Sequence, residues 1–148
     1  MLTIELVPKT AWFTNVRSNV LRKDWDMLRK TVYKKANYKC EICGGVGNKH
    51  PVECHEVWEY NDKIHTQKLI RLIALCPICH EVKHIGLAYS RERGDIVKAH
   101  LSKVNDWSDK DTDWYIKKQF DIWSYRSRFK WKIDLTWLEE KGININNL

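Results

Sequence analysis

The chain has 148 residues, the size of one ordinary domain, and 43% of them are hydrophobic, which excludes wholesale disorder. Lysine and arginine number 26 against 19 aspartates and glutamates, a net charge of +7 that favours a polyanionic partner, nucleic acid before an acidic membrane surface. No stretch approaches the ~18 apolar residues of a spanning helix. The first residues, MLTIELVPKT, lack the basic and apolar regions of a secretory leader. An intracellular, cytoplasmic setting is therefore expected, with no membrane partner. The odd count of five cysteines argues against a disulfide framework.

In chain order, Thr3–Val7 reads as a short strand and Pro8–Val20 as loop. Trp25, Leu28, Val32 and Ala36 recur at helical spacing and predict a helix over about 21–36. Its other side carries Arg22, Arg29, Lys30, Lys34 and Lys35. The first Cys-x-x-Cys follows, Cys40 to Cys43, with glycines that permit a tight turn. Pro51–Tyr60 reads as a strand, Asn61-Asp62 as a turn, and Leu69–Leu75 as a second strand. Cys76-Pro77-Ile78-Cys79 opens a short helix that Gly86 is expected to end. Helices are expected over Asp95–Val104 and Asp111–Arg126. From Phe129 to Trp137 apolar and polar residues alternate, which predicts a half-buried strand, and Thr136 with Glu139 begins a last turn stopping at Gly142. The eight tryptophans are expected mostly in core or interface. One domain over 1–148 is the economical reading, with a motif core at about 21–86 and a C-terminal helical extension at about 88–148.

The two Cys-x-x-Cys pairs are the most specific signal. Cys40, Cys43, Cys76 and Cys79, with 32 residues between the pairs, suit a tetrahedral structural zinc. His80 and His84 stand four apart on the predicted helix and share a face, so both can bind one metal. His55 lies on the strand before that helix. Strand, strand and short helix make a ββα arrangement that sets His55 opposite His80 and His84.

These segments, CEICGG, VECHEVW and LIALCPICHEVKHIG, resemble the zinc-containing HNH endonucleases. The resemblance covers about Leu21–Gly86. It implies a ββα-metal core with structural zinc knuckles; with the Trp-rich helical C-terminal extension, which lies outside the resemblance, the expected fold is α+β. It also implies metal-dependent hydrolysis of phosphodiester bonds in DNA, double-stranded DNA being the expected partner. Carried over by position, His55 falls on the general base that activates water. His80 and His84 fall on ligands of a second, catalytic divalent metal (Mg, Mn, Ni or Zn), and the four cysteines fall on the structural zinc. At the first catalytic-ligand position stands Cys54, suited to a softer ion than magnesium; Asp62 and His65 are the alternatives. Where the family has Asn stands Arg71, which can hold a phosphate instead.

Two other readings are open. His80-Glu81-Val82-Lys83-His84 is also a literal His-Glu-x-x-His, the zinc-protease pattern, with Glu92 or His100 as third ligand. That reading needs Glu81 turned into the metal site, whereas the nuclease reading leaves it to solvent. The third reading is a non-catalytic zinc module that binds nucleic acid or protein. Beyond the motif, Lys117, Lys118, Arg126, Arg128, Lys130 and Lys132 interleave with Trp123, Tyr125 and Trp131, the composition of a phosphate track with stacking platforms.

Overall fold

A computed structural model describes residues 1–11, 13 and 15–145; Trp12 and Thr14, inside the expected loop 8–20, and residues 146–148 lie outside it. Its centre is a hairpin of β1 (Glu53–Asn61) and β2 (Thr66–Leu75). The strands pair antiparallel from Glu53↔Leu75 to Asn61↔Thr66, with a register shift between Val57 and Trp58. Side chains alternate between the faces of a strand, so the hairpin serves two cores. One face presents Ile73 and Leu75 to Val82, Ile85, Val97, Leu101 and Ile116, with Leu2 and Ile4 of the N-terminal segment. The other presents Cys54, Leu69 and Leu72 to Phe13, Val16, Leu28, Leu135 and Leu138. Each fully buried leucine or isoleucine contributes about 1.5–3 kcal/mol.

The helices cover those faces as their apolar stripes dictate. α1 (Arg22–Lys35) lays Trp25, Leu28, Val32 and Tyr33 on the second core and leaves its basic side in solvent. α2 (Pro77–Lys83) and α3 (Ile85–Ser90) lie on the first core, with α4 (Gly94–Asn105) and α5 (Asp109–Arg126) behind them. Ser108 caps α5 by accepting from the Asp111 N–H at 3.0 Å. A short 3-10 turn, Arg17–Asn19, stands inside the expected loop. Among the described residues no helix is long and apolar enough to cross a membrane.

Three expectations need correction. Residues Thr3–Val7 form no strand and join no sheet. Their backbone groups bond to helices and not to a strand: Tyr115 Oη accepts from the Ile4 N–H, the Trp123 indole donates to the Val7 carbonyl, and the Glu5 N–H donates to the Lys83 carbonyl. Gly86 does not end α2. The break falls at His84, whose backbone leaves helical values (φ −109°, ψ 45°), and Gly86 sits inside α3. The alternating segment 129–137 forms only a three-residue strand, β3 (Lys132–Asp134), parallel to β2. The Asp134 carboxylate accepts from both the N–H and the hydroxyl of Thr136, which turns the chain into α6 (Thr136–Glu139). The tryptophans lie mostly where expected: Trp131 is buried, Trp25, Trp58, Trp107 and Trp137 pack against the two cores, and among the described ones Trp114 stands out at 63% exposed.

Candidate metal centres and cleft

Two turns build the thiol group. After α1, Asn37 and Tyr38 take positive φ (53° and 56°) and bend the chain toward Cys40. The Cys40 N–H donates to the Gly45 carbonyl at 2.9 Å, and Gly44 closes the knuckle at φ 74°, a conformation that suits glycine. On the other side β2 runs straight into Cys76, and Pro77 opens α2 where its missing N–H costs nothing. Gly47 brings the two turns together: a Cβ there would collide with the His50 carbonyl oxygen and the Pro77 ring. The four sulfurs lie within 4.8 Å of one another, a group that can hold a metal ion. Crowded together, the four thiols perturb one another's titration. A hydrogen bond from Cys79 draws Cys40 down to about 4, and that same bond drives Cys79 up; burial pushes Cys76 up to about 11. From α4, His100 Nε2 stands 3.1 Å from Cys79 Sγ.

The second group is three histidines. His55 lies on the hairpin face that receives α2, and His80 and His84 lie one helical turn apart on α2 and at its end. One ligand nitrogen from each can be chosen so that all lie within 4.8 Å. The ring centroids form a nearly equilateral triangle, 5.2, 5.2 and 5.0 Å on a side. Three imidazoles sharing one ion at about 2.0–2.1 Å place their ring centres roughly 5 Å apart, so the triangle fits a metal. Carboxylates take the outward nitrogens. His55 Nε2 donates to Glu5 at 2.8 Å, and His80 Nδ1 donates to Glu53 at 2.6 Å. The other nitrogen of His55, Nδ1, is buried with no hydrogen-bond partner among the described residues. Such an orphan is what an absent ligand leaves behind. Burial, helped by the two facing imidazoles, pushes His84 down to about 4, so it stays neutral and able to ligate at pH 7. The hydrogen bond from His80 draws Glu53 down to about 2. Burial would raise Glu5, but the bonds and charges of His55 and Lys83 outweigh it and hold the carboxyl below its ordinary value.

This group borders a cleft of about 400 Å³ lined by Glu53, Pro77, His80, His84, Arg91 and Arg93, among others. Arg93 is committed: its guanidinium grips both oxygens of Glu81 at 2.7 and 2.9 Å. Arg91 is exposed and makes no ion pair among the described residues.

Other expected residues fall elsewhere. Cys54 is next to His55 in sequence and therefore on the opposite strand face, in the core under α1, where burial pushes its thiol up to about 12. It does not join the histidines. Asp62 and His65 sit at the far end of the hairpin: Asp62 is gripped by Arg126 at 2.8 and 2.9 Å, and His65 stacks on Phe129 with centroids 4.2 Å apart. Arg71 pairs with Glu41 at 2.6 Å and is not among the residues that line the histidine cleft. Glu81 neither enters the metal group nor points freely to solvent, because Arg93 holds it. Glu92 is exposed and His100 belongs to the thiol group, so neither completes a protease ligand set.

In the expected phosphate track, Lys117 is paired with Asp121 at 3.0 Å and Arg126 with Asp62. Lys118 lies over the exposed Trp114 ring at 5.5 Å, while Lys118, Lys130 and Lys132 make no ion pair among the described residues. The Trp123 indole is bonded to Val7 and Trp131 is core, so neither is a free stacking platform.

Sequence reasoning missed Glu5, Glu53 and Arg91. Glu53 was within reach, since it stands two residues before His55 and so shares its strand face. Glu5 lies 50 residues from its histidine and has no local signal. No family model matches the chain, and no curated protein or solved structure matches it.

Proposed function

We propose that the protein is a metal-dependent endonuclease hydrolysing phosphodiester bonds in double-stranded DNA, with a structural zinc on Cys40, Cys43, Cys76 and Cys79. The observation that carries this reading is the triangle of His55, His80 and His84, whose sides measure 5.0–5.2 Å, at the edge of a cleft that also presents the unpaired Arg91. The net charge of +7 supports a polyanionic substrate.

In this reading His80 and His84 hold the catalytic metal, and His55 holds it with them. The resemblance puts His55 on the general-base position. Its Nδ1, however, is buried with no hydrogen-bond partner among the described residues, which suits a ligand better than a base that must meet water. Three imidazoles suit zinc or nickel better than magnesium. When bound, the metal would supply a Lewis acid for the phosphoryl oxygen and a more acidic attacking water. The chain's own residues do the rest. Glu53 fixes the ring of His80, burial keeps His84 neutral, and Arg91 offers a forked donor to a phosphate in the cleft.

The test is nicking of supercoiled plasmid by zinc-loaded protein across Mg²⁺, Mn²⁺, Ni²⁺ and Zn²⁺. Wild type should nick with Ni²⁺ or Zn²⁺. His80→Ala and His84→Ala should lose both cleavage and the second metal, and Arg91→Ala should weaken cleavage while keeping the metal. A protein that binds the second metal and DNA yet nicks with none of these ions is a binding module, and the nuclease reading falls.

A further inference from the structure

The N-terminal segment and the C-terminal helices have no part in the motif, yet they meet at the histidine site. Residues 2–9 run as a strap across the molecule. Leu2 is held by Asn105 of α4 through both backbone groups, at 2.7 and 2.8 Å. α5 holds the strap further on. Tyr115 Oη accepts from Ile4 at 3.0 Å, Trp123 donates to the Val7 carbonyl at 2.9 Å, and Ser127 Oγ accepts from Lys9 at 3.0 Å. On its inner side the Glu5 N–H donates to the Lys83 carbonyl at 3.1 Å.

The carboxylate of Glu5 therefore arrives in one place. One oxygen accepts from the Lys83 ammonium at 2.9 Å, and the other accepts from His55 Nε2 at 2.8 Å. Lys83 is only 2% exposed and also donates to Thr3 Oγ1 at 2.8 Å. A carboxylate paired with a buried ammonium has only acceptors to offer. It places the imidazole proton on Nε2 and leaves the His55 Nδ1 lone pair bare toward His80 and His84.

We propose that Glu5 is a positioning residue of the histidine metal site, that it selects the metal-binding tautomer of His55, and that α4 and α5 hold it there through the strap. This gives the C-terminal helices a role that their basic and aromatic composition did not suggest. The proposal rests on the histidines being a metal site, and not on what the metal does.

The experiment reads the tautomer and the metal, without cleavage. In wild-type protein with zinc on its thiols, ¹⁵N spectra of the imidazoles should show His55 protonated at Nε2 with Nδ1 bare. In Glu5→Gln the one remaining oxygen must serve Lys83, so the amide NH₂ faces His55 and the proton moves to Nδ1. Nickel affinity of the zinc-loaded protein, titrated calorimetrically with zinc measured before and after, should fall roughly 10- to 100-fold. Glu5→Asp should restore part of it. Tyr115→Phe/Trp123→Phe, which removes two strap bonds and alters neither Glu5 nor any histidine, should weaken nickel several-fold. A wild-type His55 protonated at Nδ1, or nickel affinity unchanged in Glu5→Gln, overturns the proposal. Wild type that binds no nickel overturns the metal reading beneath it. A failure to cleave DNA touches neither result.

Discussion

Cys54 and His55 are neighbours in sequence with opposite fates. Strand alternation sends His55 to the α2 side and Cys54 into the apolar core under α1. Cys54→Ala should therefore leave both metals in place, cost about 1–2 kcal/mol in urea unfolding, and change no cleavage. Loss of a metal ion from that variant would return Cys54 to the site. The charges of the site also write themselves into acid stability. Burial and the facing imidazoles hold His84 at about 4, below its ordinary 6.5. The unfolded chain takes up that proton first, so the stability it contributes is present above about pH 6.5 and is lost as pH falls toward 4. Glu53, drawn down to about 2 by the His80 hydrogen bond, loses its contribution in a lower window, from about 4.5 toward 2. With the second metal stripped by chelator, the gap in urea midpoint between wild type and His84→Gln should change across pH 6.5 to 4 and stay flat above it. A gap that is flat throughout would show that His84 titrates normally.

At the scale of elements, α2 is too short to stand alone: 7 residues, with no side-chain cap at its N-terminus. It is placed by Cys76 and Cys79 at one end and by the hairpin beneath. It carries His80 and leads directly into His84. The thiol group is therefore the foundation of the histidine group. Cys76→Ser should lower the melting temperature by on the order of 10 °C or more and abolish nickel binding at the histidines, although no histidine is altered. Calorimetry of that variant checks both. Nickel binding that survives loss of the zinc would show that the hairpin alone sets the triangle.

For the whole molecule, the question is which basic surface meets the proposed DNA. α1 packs on the hairpin face that Cys54 occupies, opposite the one bearing His55, so its lysines do not border the cleft. In the segment from α5 to β3, pairing removes Lys117 and Arg126 and leaves Lys118, Lys130 and Lys132 unpaired among the described residues. Duplex affinity measured by anisotropy across salt should therefore separate the two sets. Lys118→Gln, Lys130→Gln and Lys132→Gln should each reduce the log–log slope by about 0.9 if they touch phosphate, and Lys117→Gln should leave it nearly unchanged. An unchanged slope in all four would assign this segment to a solvated rim.

The sequence by itself determined the local features: α1 from its apolar stripe, the hairpin from its strand formers and Asn-Asp turn, α4 and α5, and both cysteine turns. It also brought His55, His80 and His84 together, because the alternation of a strand and the 3.6-residue period of a helix are local rules. Only the tertiary structure decided what is long-range. The third strand shrank to 3 residues because the Asp134 side chain captured Thr136. Arg71, Asp62 and Lys117, which the sequence offered to a phosphate, a metal and a phosphate track, found partners in Glu41, Arg126 and Asp121. Glu5 reached His55 across 50 residues because α4 and α5 offered side chains, and no strand, to the N-terminal backbone. Periodicity reports which face a residue takes, whereas the partner of a charge depends on where the rest of the chain packs.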